Sequence, residues 1–380
     1  VEEERNVSRP TKHLLRLTAA GATLALVVAG AHIASARDGG GGDGGDGGGG
    51  GGALAPTRVT VLNQVSNTTG TALITDPDLK NPWGLALGPS GGALWVANNN
   101  SNNTTLYNGG LNGAAVTKST LTVSIPGGKP TGQAFSGGTD FVVTGSGGSG
   151  PARFIFSSDQ GDITAWNPTA DRTHTILMAH VNGAVYRGLT FLADSTGNFL
   201  LANDFKNNRI DVFNSSFQKV TLAAGQFVDP NLPSGYAPFN VQTIGSSVYV
   251  AYARPENGGS EPSGGGNGIV DVFTNFGRSV SRVVNSSSVR GPWGLAIAPS
   301  NWGAIAGDLL VGSFKDGFIF VFQGTKLVGQ LADKNGQAIR IDKLWALTPG
   351  NPQNGGTGTI WFSAGPNDGQ NGIVGELTPA

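Results

Sequence analysis

The chain has 380 residues, of which 62 are glycine, 38% are hydrophobic and 13% are charged, with a single methionine and no cysteine. That composition excludes a disulfide framework, a thiolate metal site and a cysteine nucleophile, and an apolar fraction of this size with Trp and Phe spread throughout excludes a disordered chain. A formal net charge of -1 without a Lys/Arg cluster excludes nucleic acid as a partner, because neutralising phosphates needs a concentrated basic surface.

Read from its start, the chain places Arg5, Arg9, Lys12 and Arg16 ahead of an apolar run from Leu17 to Ile33, followed by Ala34, Ser35 and Ala36. This is the order of a cleaved signal peptide over residues 1–36. The run is at the short edge of a bilayer span, and its many Ala and Gly residues favour cleavage, which leaves no membrane span in the mature chain. Residues 37–56 read as a Gly-rich flexible linker, since Gly39 to Gly52 is broken only by Asp43 and Asp46. Such a tract cannot bury enough apolar area to offset chain entropy, and it lacks the flanking strand, helix and Lys-Ser/Thr of a phosphate loop. The mature chain is then nearly neutral and is expected to be secreted, periplasmic or at the cell surface.

Residues 57–380 are expected to form one domain of short strands, given their Val, Phe, Thr, Ser, Asn and Gly content. Val59 to Val65 reads as an outer strand. After it, Pro82-Trp83-Gly84-Leu85-Ala86-Leu87 with Leu94-Trp95-Val96-Ala97-Asn98 is nearly repeated by Pro292-Trp293-Gly294-Leu295-Ala296-Ile297 with Leu309-Leu310-Val311-Gly312-Ser313. Looser copies begin at Thr131 (with Phe141 to Thr144 as second strand), Arg187, Asn240 and Trp345, so that Gly84, Gly132, Gly188, Val241, Gly294 and Ala346 recur at intervals of roughly fifty residues. Third strands follow at Ile163 to Trp166, Arg209 to Phe213, Ile269 to Phe273, Phe318 to Phe322 and Ile373 to Leu377, and outer strands at Lys219 to Leu222 and Ser281 to Val284.

Four strands per unit predict an all-β fold, a six-bladed β-propeller. The last unit lacks a fourth strand and Val59 to Val65 lacks a blade, so the N-terminal outer strand is expected to close the last blade and cover its edge. Five or seven blades remain open if the second repeat is registered differently, as does a solenoid-like stack.

Asn81 to Ala86, Phe227 to Gln242 and Ser363 to Asp368 resemble runs of an uncharacterised family of exported bacterial propeller proteins, some of which carry a PEP-CTERM sorting tail. The resemblance covers about residues 57 to 380, is looser toward NHL-type propellers, and implies no established activity. The chain runs to Thr378, Pro379 and Ala380 without the apolar tail helix, so anchoring through such a tail is not expected.

In a propeller the loops leading into the inner strands and the second-to-third hairpins share one face, where ligands usually bind. There the inner strands begin with Trp83, Thr131, Arg187, Asn240, Trp293 and Trp345. Trp83, Arg187, Asn240, Trp293 and Trp345 could bind a ligand by stacking and fixed hydrogen bonds; packing of the tryptophans between blades is the favoured alternative. Asn98, Asn203, Asp204, Asp316 and Asp368 stand in Asn/Asp-rich hairpins whose oxygens suit Ca²⁺, although the same residues serve tight turns and no EF-hand spacing is present. No other cofactor is expected.

A lactonase-like propeller usually needs a Glu at the centre, and Glu256, Glu261 and Glu376 start no inner strand. His174 and His180 have no nucleophile elbow beside them, and the glycines and serines of residues 145–150 belong to a hairpin. Asp211 and Asp271 are expected to be structural. The reading is a monomeric, non-catalytic scaffold recognising an extracellular glycan, peptide or protein at one channel face; the alternative is a metal-dependent hydrolase or lactonase at the channel.

Overall fold

The computed structural model describes residues 55–380 apart from 89–90, 257–260, 263–264 and 275. The signal peptide and all but the last residues of the linker lie outside the described residues. In chain order, β1 (Ala55–Ser66) and β2 (Ile74–Thr75) precede a four-stranded antiparallel sheet of β3 (Pro82–Ala86), β4 (Leu94–Asn98), β5 (Asn103–Gly109) and β6 (Val116–Ser124). Next comes β7 (Pro130–Phe135), then a separate hairpin of β8 (Val142–Gly145) and β9 (Gly148–Pro151). β10 (Phe154–Ser158), β11 (Asp162–Trp166) and β12 (Ile176–His180) complete the sheet that β7 begins.

Three strands, β13 (Tyr186–Asp194), β14 (Gly197–Asp204) and β15 (Arg209–Phe213), make the third sheet. β16 (Ala237–Ile244) and β17 (Ser247–Ala253) are followed by the small pair β18 (Pro255–Glu256) and β19 (Glu261–Pro262), and joined by β20 (Gly268–Thr274) and β21 (Ser279–Ser286). Last come β22 (Pro292–Ile297), β23 (Leu309–Ser313), β24 (Ile319–Gln323), β25 (Lys326–Ala332), β26 (Leu344–Pro349), β27 (Ile360–Ala364) and β28 (Ile373–Pro379).

β1 ties the last two groups into one sheet. Its first residues run parallel to β25, Ala55 opposite Gly329, and from Val59 onward it runs antiparallel to β28, Val59 opposite Pro379 and Ser66 opposite Ile373. The first strands touch in succession, β3 with β7, β7 with β13, β13 with β16, β16 with β22, β22 with β26, and β26 again with β3. The fold is all-β and propeller-like.

The repeated glycine has a steric cause at these junctions. A Cβ on Gly84 would stand 2.8 Å from the Gln133 nitrogen, one on Gly188 2.9 Å from the Val241 nitrogen, and one on Gly294 2.7 Å from the Trp345 oxygen, all main-chain atoms of the next first strand. Side chains then fasten strand to strand: Thr131 Oγ1 donates to the Tyr186 carbonyl (2.9 Å), Gln133 Nε2 to that of Gly84 (2.9 Å), Asn240 Nδ2 to that of Trp293 (2.6 Å) and Ser363 Oγ to that of Trp83 (2.5 Å). Polar side chains can be buried here because each meets a main-chain acceptor. Between the sheets, fully buried side chains such as Trp361, Phe156, Phe213 and Phe322 fill the core, each contributing about 1.5–3 kcal/mol by removal from water.

Two expected strands differ. Phe141 to Thr144 is not the second strand of its sheet; that place is taken by β10, which pairs with both β7 and β11, while Val142–Gly145 turns back on Gly148–Pro151 as the separate hairpin of β8 and β9. Lys219 to Leu222 forms no outer strand. It makes one bridge, Phe213 to Lys219, closed by the Val220 nitrogen on the Val212 carbonyl (2.7 Å), while the Lys219 ammonium turns to Asp211 (2.6 Å).

Candidate functional site

The residue ahead of a first strand is left-handed at Asn81 (φ 48°), Lys129 (φ 52°), Gly291 (φ 62°) and Lys343 (φ 53°). Each of these carbonyls accepts the N–H just after the second strand of its sheet, from Asn99 (3.1 Å), Asp159 (3.2 Å), Phe314 (3.0 Å) and Gly365 (3.1 Å). This recurring turn brings the start of the first strand and the second-to-third hairpin to one mouth. Non-glycine residues at positive φ are costly, so their recurrence here marks a constrained rim.

Inside the rim, Trp83 and Trp345 stack with ring centroids 3.5 Å apart and planes 22° from parallel. Trp293 meets them edge-on at 6.5 and 5.8 Å. All three are at most 5% exposed, so their faces are spent on one another. The Arg187 guanidinium lies 5.1 Å from the Trp83 ring centre and 3.9 Å from Asp159, and the Lys343 ammonium lies 5.1 Å from the Phe314 ring and 3.0 Å from Asp368. Two cations thus each rest on an aromatic ring within ion-pair reach of an aspartate. Trp345 Nε1 donates to Asn81 Oδ1 (3.1 Å), whereas the indole nitrogens of Trp83 and Trp293 are buried with no acceptor.

The residues expected at the mouth are divided between two cavities. Trp83, Arg187 and Trp345 line one of about 210 Å³, together with Lys343, Asp159 and Asp368. Asn240 and Trp293 line another of about 390 Å³ further along the first strands. Lys343 escapes the sequence reading because it starts no strand, and Asp159 because its hairpin, between β10 and β11, follows a second strand that the sequence reading places at Phe141 to Thr144. Lys343 precedes Leu344 as Asn81 precedes Pro82, and aligning the repeats one position earlier would have brought it forward.

Of the hairpin residues offered for Ca²⁺, only Asp368 reaches the mouth cavity. Asn98 Nδ2 donates to Asn103 Oδ1 (2.9 Å) and Thr105 Oγ1 (3.0 Å), and Asn203 Nδ2 to the Pro238 carbonyl (2.5 Å). Asp204 accepts the Val185 nitrogen (3.1 Å) and pairs with Arg209 (2.8 Å), and the Asp316 carbonyl accepts Arg340 Nε (3.0 Å). Among the described residues no three His, Cys, Asp or Glu side chains are grouped to hold a metal ion. His180 pairs with Asp162 (2.7 Å) and His174 with Asp171 (3.4 Å).

Three buried acids are electrically unusual. Asp211 loses solvation on burial, but hydrogen bonds from Arg209 (2.8 Å), Lys219 (2.6 Å) and Tyr186 (2.7 Å) outweigh that loss and hold its carboxyl below the usual range. Burial pushes Asp271 up to about 6 despite Arg282, and Glu376 up to about 7 despite a hydrogen bond from Gln64.

No family model matches the chain. It is similar to the uncharacterized protein L690 of Acanthamoeba polyphaga mimivirus, with 31% identity over 339 residues covering 86% of each chain. It is also similar to the uncharacterized protein R648 of the same virus, with 30% identity over 323 residues covering 82% of this chain and 78% of the other. Among solved structures, a catalytically inactive virginiamycin B lyase from Staphylococcus aureus with quinupristin matches with a TM-score of 0.45 and 14% identity, covering 84% of this chain and 99% of that one. A protein of unknown function from Bacteroides thetaiotaomicron matches with a TM-score of 0.48 and 13% identity, covering 84% and 75%.

Proposed function

Taking as premise that the chain belongs to the family of the mimivirus proteins L690 and R648, we propose that it is an exported, non-catalytic binding module, a six-bladed propeller whose mouth captures a peptide or a loop of a partner protein. The observation that carries this reading is the pair of ion pairs on aromatic rings, Arg187 with Asp159 on Trp83 and Lys343 with Asp368 on Phe314, around one cavity. A wall with charges of both signs and a buried indole N–H suits peptide amides and charged side chains, which both donate and accept. A sugar would instead need an open aromatic face, and the tryptophan faces here are covered.

Selection of a displayed peptide library against the full chain tests the reading. Enriched peptides should carry a charged residue and lose about tenfold or more in affinity when Lys343→Glu or Asp368→Lys reverses one charge, with the double reversal restoring part of the loss. Absence of enrichment, or enriched peptides indifferent to both reversals, overturns it.

A further inference from the structure

We infer that the axial channel holds a second ligand site, away from Arg187 and Lys343, which takes a small neutral molecule bearing several hydroxyl groups, a monosaccharide by its chemistry. The cavity of about 390 Å³ is bounded by stretches of β3, β7, β13, β16, β22 and β26, and none of its lining side chains carries a charge. An ionic ligand would be partly desolvated there without a counter-charge, which disfavours it. A purely apolar ligand fails for a different reason.

Three polar side chains of this lining hold atoms that are buried and without a hydrogen-bond partner: Gln133 Oε1, Thr243 Oγ1 and Trp293 Nε1. The Gln133 amide donates from Nε2 to the Gly84 (2.9 Å) and Trp95 (2.5 Å) carbonyls, so its oxygen is left as an acceptor. The Trp293 indole can only donate. The Thr243 hydroxyl can do both, and its backbone nitrogen is already spent on Thr190 Oγ1 (2.9 Å). One acceptor, one donor and one group of either kind are what neighbouring hydroxyls of a polyol satisfy, after the small side-chain turns that open these atoms to a ligand. The half-buried Phe135 and Phe191 rings supply apolar wall for the C–H faces of a sugar. Each orphaned buried atom is unfavourable in the empty protein, so a ligand hydroxyl that pairs with it relieves that cost.

The full chain is titrated calorimetrically with D-glucose, D-galactose and N-acetyl-D-glucosamine, each to about 10 mM, the range of a weak small-ligand site. Saturable binding of at least one sugar is expected. Thr243→Val removes a hydroxyl that has no partner in the empty protein and so does not lower the melting temperature, while weakening that sugar about tenfold; Trp293→Phe removes the indole N–H and weakens the sugar similarly, with a lower melting temperature because the smaller ring packs less fully on Trp83 and Trp345. Lys343→Gln, at the other cavity, leaves sugar binding unchanged. Failure of all three sugars to bind, or equal binding by the Thr243 and Trp293 variants, overturns the inference.

Discussion

The side-chain amide of Asn240 donates across 2.6 Å to the main-chain carbonyl of Trp293, joining the first strand of one sheet to the first strand of the next. Replacing it as Asn240→Ala leaves that carbonyl buried and unanswered, which is expected to cost about 1–3 kcal/mol. Urea unfolding of the variant against wild type measures this, and a loss of only a few tenths of a kcal/mol would show that the bond does not hold the junction.

Gly132 marks the tightest junction. A Cβ there would overlap the Leu189 nitrogen and stand 2.6 Å from the Gly188 carbonyl carbon, whereas at Gly183 the space is open and only the backbone (φ 73°) resists a side chain. Gly183→Ala is therefore expected to cost about 1–2 kcal/mol, and Gly132→Ala distinctly more, through displacement of a neighbouring strand. Comparison of soluble yield and midpoint of unfolding tests the ranking.

Stability should fall as pH rises from mildly acidic to neutral. Glu376 moves from an ordinary 4.5 to about 7 and Asp271 from 3.8 to about 6, both by burial. The folded state then holds protons that the unfolded chain releases, so their contribution is fully present below the ordinary values and is lost through about 6 and 7. Asp211, held low, acts the opposite way and weakens the fold only in stronger acid. Glu376→Gln should flatten the decline in melting temperature between pH 5 and pH 8, conditions chosen to bracket about 7; an unchanged slope assigns the decline elsewhere.

Residues 218–228 are expected to exchange amide hydrogens faster than β21, their counterpart in the next sheet. One bridge holds Lys219, Val228 is 57% exposed, and a cavity of about 820 Å³ lies beside β15 where an outer strand would run. Local opening without a paired strand needs little free energy. Exchange monitored by mass spectrometry should show at least roughly a tenfold difference, and equal protection would mean that the segment is held by the loop itself.

What could be read from the sequence followed from local chemistry. The all-β, propeller-like character came from alternating strands and a spaced glycine, and that glycine reflects a contact so close that only a missing Cβ permits it, as at Gly84 and Gly294. The false second strand at Phe141 to Thr144 arose because a β-prone apolar run looks alike whether it pairs in the sheet or in an excursion; only its partner, Gly148–Pro151 rather than β7, distinguishes them. Trp83 and Trp293 look equivalent in sequence, yet one lines the mouth and the other the cavity further along the first strands, since packing around the axis rather than the motif decides which side of the indole cluster each serves.

The pairing of β1 with β25 and β28 also governs the order of events when the chain is made. Asn67, just past this strand, donates to the carbonyl of Gln370, 303 positions later. The segment synthesised early has only the short β2 to pair with at first, and most of its length must wait, prone to wrong pairing, until the last hairpin is complete. Ring completion is thus a late, long-range step, and a chain stalled before β28 carries two open edges that invite association with other copies.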